Sequence, residues 1–263
     1  MIDAHIHLER GPYEEGWLDR FIDMAVKRNM DEIFLLEHTH RFFEFKDIYM
    51  NNIVSDGMTG DYQREWISRK MEKSIGEYTA FINRMRNKEF PVEVRFGLEV
   101  CYFPGEELRI KRLLEMFDWD FLTGSVHWID GWGFDHEGTR DSWRQKDVDG
   151  AYRRYYEIMK DLIRSGMFTN LAHPDSIKCF DYYAGYDLTE TYREIAELLV
   201  SRNMSAEFNL GLYLNYNHGE FGLNSRMLRA FKERGVRMLT ATDAHRPEDA
   251  GLYIKDAEMV LSL

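Results

Sequence analysis

Seven short apolar runs alternate with longer stretches of helical periodicity along the whole chain, and this alternation restricts the fold more than any other feature. The runs that read as strands are Ile2–His7, Glu32–Glu37, Val92–Glu99, Phe121–His127, Phe168–Ala172, Ser205–Asn209 and Arg237–Thr242. Between the first two, Trp17–Asn29 sets Leu18, Phe21, Ile22, Ala25 and Val26 on one stripe at spacings of three and four, the mark of an amphipathic helix. Tyr62–Asn87, Glu106–Phe117, Ala151–Ser165, Thr189–Arg202 and Asn224–Arg234 read the same way, with Gly166 and Gly235 as stops after two of them. Strands joined by helices imply a parallel sheet with helical crossovers. Seven such units without a break predict an α/β fold, a closed (β/α) barrel occupying 1–263 as one domain. An open doubly wound sheet is the other arrangement the pattern allows.

Two stretches follow neither period. Arg41–Gly60 is polar and aromatic, and Trp128–Gly150 is rich in Gly and Asp. Loops of this length in a compact domain are usually functional. Both follow a strand, which places them on one face of the barrel.

The residues at or just past the strand ends are His5 and His7, His38, Glu99, His127, His173, Asn209, and Asp243 with His245. Strand C-termini of a barrel converge on one face, where sites are built. Six of the nine histidines therefore meet two or more carboxylates in one bowl. That is too many ligands for a single four-coordinate zinc and suits two to three divalent ions, with imidazole and carboxylate favouring zinc, iron or manganese. His5 and His7 are two apart and face one side of a strand, as do Asp243 and His245. Glu99 can give one oxygen to each of two ions. A lone histidine at a strand end is usually structural, and it is the coincidence of six that carries the metal reading. His40, His136 and His218 have no place in this set and read as loop or outer residues.

Composition excludes several classes. The net charge of −12 disfavours long nucleic acid and anionic membranes as partners. Two distant cysteines, Cys101 and Cys179, build neither a disulfide framework nor a CxxC site. The start of the chain lacks a signal-peptide pattern, and no apolar run approaches membrane-spanning length, so the expectation is a soluble cytoplasmic protein. Self-association is left open.

These residues resemble the polymerase and histidinol phosphatase (PHP) superfamily. The resemblance lies in Asp3-Ala4-His5-Ile6-His7, Glu37-His38, Gly97-Leu98-Glu99, Gly124-Ser125-Val126-His127-Trp128, Ala172-His173-Pro174-Asp175 and the segment Thr242 to Gly251. They run the length of the chain in order. The last segment and Ser125-Val126-His127-Trp128 resemble the monofunctional histidinol-phosphatase branch. The resemblance implies a distorted seven-stranded (β/α)7 TIM-like barrel with a trinuclear metal site at the C-terminal strand ends. It implies one ion on His5, His7, Glu99 and Asp243, a second on Glu99, His127 and His173, and a third on His38, His245 and a group from the loop after the first strand. Pro12 and Tyr13 stand where that loop ligand is often found, and Glu9 is the substitute, with Glu14 and Glu15 behind it. The segment after the sixth strand, Gly211 to Asn217, also departs from the branch.

The activity implied is metal-dependent phosphomonoester hydrolysis of a small phosphorylated substrate, first of all L-histidinol phosphate, with a nucleotide or other small phosphate ester as the alternative. Asp243 or His245 would protonate the leaving oxygen. Arg246 and Arg41 would grip phosphate oxygens, Asp130 and Asp135 would receive a cationic amine, and Asn209 is a further substrate contact. An amidohydrolase also opens with His-x-His, but it expects a bridging Lys or Glu at the fourth strand, where this chain has His127. A non-catalytic relic would have lost ligands that are retained here.

Overall fold

The computed structural model describes residues 1–54 and 56–263. Seven strands run parallel in one sheet: β1 (Ile2–His7), β2 (Glu32–Leu36), β3 (Glu93–Cys101), β4 (Phe121–Ser125), and, after a small antiparallel hairpin of β5 (Trp128–Ile129) and β6 (Trp132–Gly133), β7 (Asn170–Leu171), β8 (Ser205–Asn209) and β9 (Met238–Ala241). Their order in the sheet is β1-β2-β3-β4-β7-β8-β9. The ends meet: Ile6 bridges Ala244, and His7 N donates to Ala244 O at 2.8 Å. A nearly closed barrel results, and the open sheet is excluded.

Helices cover the outside: α1 (Glu15–Lys27), α2 (Lys46–Asn52), α3 (Gly57–Lys70), α4 (Ile75–Met85), α5 (Glu107–Leu114), α6 (Val148–Ser165), α7 (Thr189–Ser201), α8 (Gly211–Asn215), α9 (Ser225–Arg234) and α10 (Ile254–Ser262). Helix α1 buries Leu18, Phe21, Ile22 and Ala25, the stripe that the periodicity predicts, while Val26 stays exposed. Gly166 and Gly235 close α6 and α9 in the left-handed conformation that lacks a steric penalty only for glycine. No helix among the described residues is long and apolar enough to cross a membrane.

The structure corrects two expectations. Tyr62–Asn87 is two helices, not one. The break at 71–74 pairs with the start of the earlier loop: Glu72 N and Lys73 N donate to Arg41 O at 3.1 Å, and Phe43 N donates to Lys73 O at 2.9 Å. A capping box then starts α4, with Ser74 Oγ accepting from Gly76 N and Glu77 Oε2 accepting from Ser74 N. Arg41–Gly60, read as irregular, contains the 3₁₀ turn Phe43–Phe45, α2 and the first turn of α3. Its apolar side chains Phe42, Phe45, Ile48 and Tyr49 are buried, but in runs too short to show a period. The stretch after β4 turns at Asp130-Gly131, both with positive φ, the backbone that a tight two-residue hairpin requires.

Part of the barrel interior is polar. Asn170 Nδ2 donates to Glu207 Oε1 at 2.8 Å and to Thr123 Oγ1 at 3.3 Å, and Ser205 Oγ donates to Asn170 Oδ1 at 2.9 Å. Near the seam Asp3 accepts from Thr242 N, Thr242 Oγ1 and Gly251 N at 2.6–2.9 Å. Burial raises its carboxyl to about 6, against these donors. The main apolar core lies between sheet and helices, and a second, separate apolar cluster of Ala4, Phe34, Leu36, Phe121, Leu239 and Ala241 lies on the inner strand face below the site residues.

Candidate metal centre

Parallel strands end together, so their last side chains are neighbours in space. Glu99, fully buried in β3, sits at the middle of the group. Its Oε2 lies 3.3 Å from His5 Nε2, 3.3 Å from His7 Nε2 and 2.7 Å from His38 Nδ1. Its Oε1 lies 2.7 Å from His127 Nε2 and 3.1 Å from His173 Nε2. Asp243 Oδ1 completes the first set at 3.7 Å from His5 Nε2 and 3.5 Å from His7 Nε2. His245 Nε2 lies 3.5 Å from Glu9 Oε1. His173 and Asp243 both sit at positive φ, an uncommon backbone for non-glycine residues that recurs where side chains are held for function.

The donor set fits metal ions. His5 Nε2 and His7 Nε2 approach to 2.9 Å, and each lies 3.3 Å from Glu99 Oε2 and 3.5–3.7 Å from Asp243 Oδ1. The edge of a tetrahedron around zinc, with ligand bonds of about 2.0–2.1 Å, is about 3.3 Å. Outer groups orient the rings. His5 donates from Nδ1 to Glu207 Oε1 at 2.9 Å, and His127 donates from Nδ1 to Asp135 Oδ2 at 2.6 Å. Each leaves Nε2 facing Glu99, the carboxylate–histidine arrangement that fixes a metal-binding tautomer. Glu9 Oε2 is buried without a hydrogen bond.

The charges agree. Burial favours neutral carboxyls, but His38 and His127 outweigh it and hold Glu99 well below the usual carboxylate range. Asp243 is held low by His5 and His7, and Glu9 by His38 and His245, again against burial. Burial lowers His38 and His136 to about 4, so both rings are neutral near pH 7. His5 and His127 go the other way: burial opposes their charge, but Glu207 with Asp243, and Asp135 with Glu99, raise them well above the ordinary range. An incoming cation would displace those two protons.

All nine metal-ligand candidates (His5, His7, Glu9, His38, Glu99, His127, His173, Asp243 and His245) gather in or around one cavity of about 830 Å³. The substrate candidates divide: Arg246 and Asp135 line the cavity, and Asp130, Asn209 and Arg41 do not. Asp130 points away, 59% exposed and paired with Arg154 Nε at 2.8 Å. Asp135 spends one oxygen on His127. Asn209 donates to Glu207 Oε2 at 2.8 Å and accepts from Gly211 N at 2.7 Å, which makes it a brace. Arg41 is buried against Glu37 and Glu9, at 3.3 and 3.6 Å, and steadies the loop that carries Glu9. Arg246 lines the cavity, and its guanidinium makes no hydrogen bond or ion pair among the described residues. Of the two candidate proton donors, Asp243 is held low by His5 and His7, and His245 donates its Nδ1–H to Asp243 O at 3.0 Å.

The sequence reading missed Glu207, whose signal was the alternation of Ser205, Glu207 and Asn209 on one strand face. It also set aside His40, His136 and His218, and all three line the cavity. Gly211 is a further close fit, because an added Cβ would lie 2.6 Å from Asp243 Oδ2 and 2.8 Å from Asn209 Oδ1. Gly211→Ala is therefore expected to weaken zinc binding by about tenfold, the size of effect seen when the support of a ligand is lost. Zinc titration of both forms checks this, and unchanged affinity would contradict it.

Among known proteins, the profile of the PHP domain matches residues 3–210. A probable histidinol-phosphatase of Deinococcus radiodurans is 31% identical over 199 residues, 74% of each chain. The chain belongs to the PHP domain family. A probable histidinol-phosphatase of Clostridium acetobutylicum is 23% identical over 270 residues, 98% of this chain and 91% of that one. Two solved structures share the PHP fold seen here. The putative histidinol phosphatase of Listeria monocytogenes superposes with a TM-score of 0.77 at 19% identity, covering 97% of this chain and 99% of the other. The histidinol phosphate phosphatase of Lactococcus lactis, solved with zinc, L-histidinol and phosphate, gives 0.72 at 22% identity, covering 99% and 92%. The distorted TIM-like barrel expected from the sequence is the fold of this PHP chain.

Proposed function

We propose that this chain is a metal-dependent phosphomonoesterase that converts L-histidinol phosphate and water to L-histidinol and phosphate. The observation that carries the reading is Glu99, whose two oxygens face two separate groups of imidazoles. His5, His7, Glu99 and Asp243 would hold one divalent ion, and Glu99, His127 and His173 a second. His38, His245 and Glu9 would hold a third. Bound there, such ions lower the pKa of water and neutralise charge on a phosphoryl group. The names of the relatives support the substrate, and one of the structures sharing the fold was solved with L-histidinol and phosphate.

The side chains around the ligands would do the rest. Glu207 and Asp135 keep His5 and His127 in their tautomers, so the ligand set is ordered before substrate arrives. Arg246 offers a planar donor to phosphate oxygens. The acidic Glu137, Asp181 and Asp249 also line the cavity, and with Asp135, in place of Asp130, are groups able to face a cationic substrate end. Trp66, Trp128 and Phe180 supply apolar wall. A bowl of this size takes a small phosphate ester, while the acidic chain disfavours a long polyanion.

Phosphate release from a panel tests the reading: L-histidinol phosphate, mononucleotides, a nucleoside 3′,5′-bisphosphate and an aryl phosphate, offered to metal-analysed protein. Preference for L-histidinol phosphate is expected. Release from nucleotides alone would overturn the substrate, and release from none would overturn the activity. Arg246→Ala should raise KM for L-histidinol phosphate about tenfold or more, the loss of one charged hydrogen bond. Asp130→Asn should leave both constants unchanged, because its carboxylate faces away from the bowl.

A further inference from the structure

One imidazole in the cavity has no task in this arrangement. His40 lies two residues past His38, the same spacing as His5 and His7. It is only 9% exposed, and its Nε2 is buried without any hydrogen-bond partner. The ring stacks on His38 at 4.5 Å between centroids and is walled by Trp66 at 4.7 Å. Glu9 beside it carries a second orphan: Oε2 is buried and accepts no hydrogen bond, although Arg41 and Lys70 each lie 3.6 Å away. One donor atom each from Glu9, His38 and His40 falls within 4.8 Å of the other two.

Buried polar atoms are nearly always partnered, and an exception calls for a reason. Here two exceptions of complementary kind, an imidazole nitrogen and a carboxylate oxygen, adjoin the same third donor. A cation between them satisfies both. Two imidazoles, one carboxylate and an open position form a usual set for zinc. We propose that His40 is itself a metal ligand, holding an ion with Glu9 and His38, while His245 closes the side toward the Glu99 cluster. This rests on reading the bowl as a metal centre. It adds to the ligands named above, and it gives the third ion a protein donor from the loop after β2 as well as from the loop after β1.

The test counts metal and needs no substrate. Full-length protein is equilibrated at fixed free zinc and zinc per chain is measured, for the wild type, His40→Ala and His40→Asn. Three ions are expected in the wild type and two in His40→Ala, with affinity for the third lowered about tenfold or more in His40→Asn. Cobalt-loaded protein should show a matching loss of visible absorption. Thermal unfolding confirms that each variant is folded. If the alanine form is not, the asparagine form, which keeps most of the side-chain volume, decides. A wild type holding only two ions, or wild-type zinc content and affinity in the folded variants, overturns the proposal. A protein that binds three ions but ignores L-histidinol phosphate would refute the substrate reading and leave this one standing. Hydrolysis with His40 irrelevant to metal content would do the reverse.

Discussion

Glu99→Gln is expected to lower kcat/KM on L-histidinol phosphate by about a thousandfold or more, the upper range for loss of one preorganised charged group. The amide is nearly isosteric but carries no charge, and one of its two oxygens becomes an NH₂. Five imidazole nitrogens lie within 2.7–3.3 Å of the native carboxylate, so the change strikes both halves of the cluster at once. Zinc content should fall by at least one ion per chain. The fold should persist, because the main apolar core lies between sheet and helices. Steady-state kinetics beside metal analysis provides the check. A Glu99→Gln protein with wild-type zinc and a rate within tenfold of the wild type would falsify the bridging role.

Removing the metals should have the second-largest effect, and it carries a pH signature. At free zinc a thousandfold above Kd, binding adds about 4 kcal/mol of stability, or about 10 °C in Tm for a chain of this size. In the stripped protein His5 and His127 have raised pKa values. Their stabilising contribution is complete below the unfolded value near 6.5 and fades as pH rises through the raised folded values. The lowered groups act oppositely. Glu99, Asp243 and Glu9 lose their contribution as pH falls through their depressed values, and His38 and His136, both near 4, penalise the folded state increasingly below 6.5. The stripped protein should therefore be most stable close to pH 6.5 and weaken on both sides. With zinc bound the imidazoles are already deprotonated, and the alkaline decline should shrink to the part due to Glu37, whose carboxyl burial raises to about 8. Tm measured from pH 5 to 9 with and without chelator decides, and a flat alkaline limb in the stripped protein would contradict the assignment.

The ligand set was legible because a barrel converts strand ends into neighbours. Once Ile2–His7 and Val92–Glu99 read as parallel strands, His7 and Glu99 had to meet. The supports were less legible. Glu207 acts through a contact to His5 across 202 positions of sequence, which no local pattern displays. Asp135 and Asp130 are alike in composition and five residues apart, yet the hairpin turn sends one toward His127 and the other toward Arg154. The long helix was overread because its apolar spacing continues across Met71 and Ile75. The signal against it was the Ser74–Glu77 capping pair, which the periodicity obscured.

The barrel seam has a consequence for how the chain matures. Ile6 meets Ala244 at the closure, and His5 and His7 face Asp243 across it. The first strand made by the ribosome thus waits for the last before its ligands are complete. A nascent chain holds only a partial set, so tight metal capture and closure of the barrel are one late event. The metal centre thus acts as a clasp across the closure, and a bound ion should resist separation of the first and last strands.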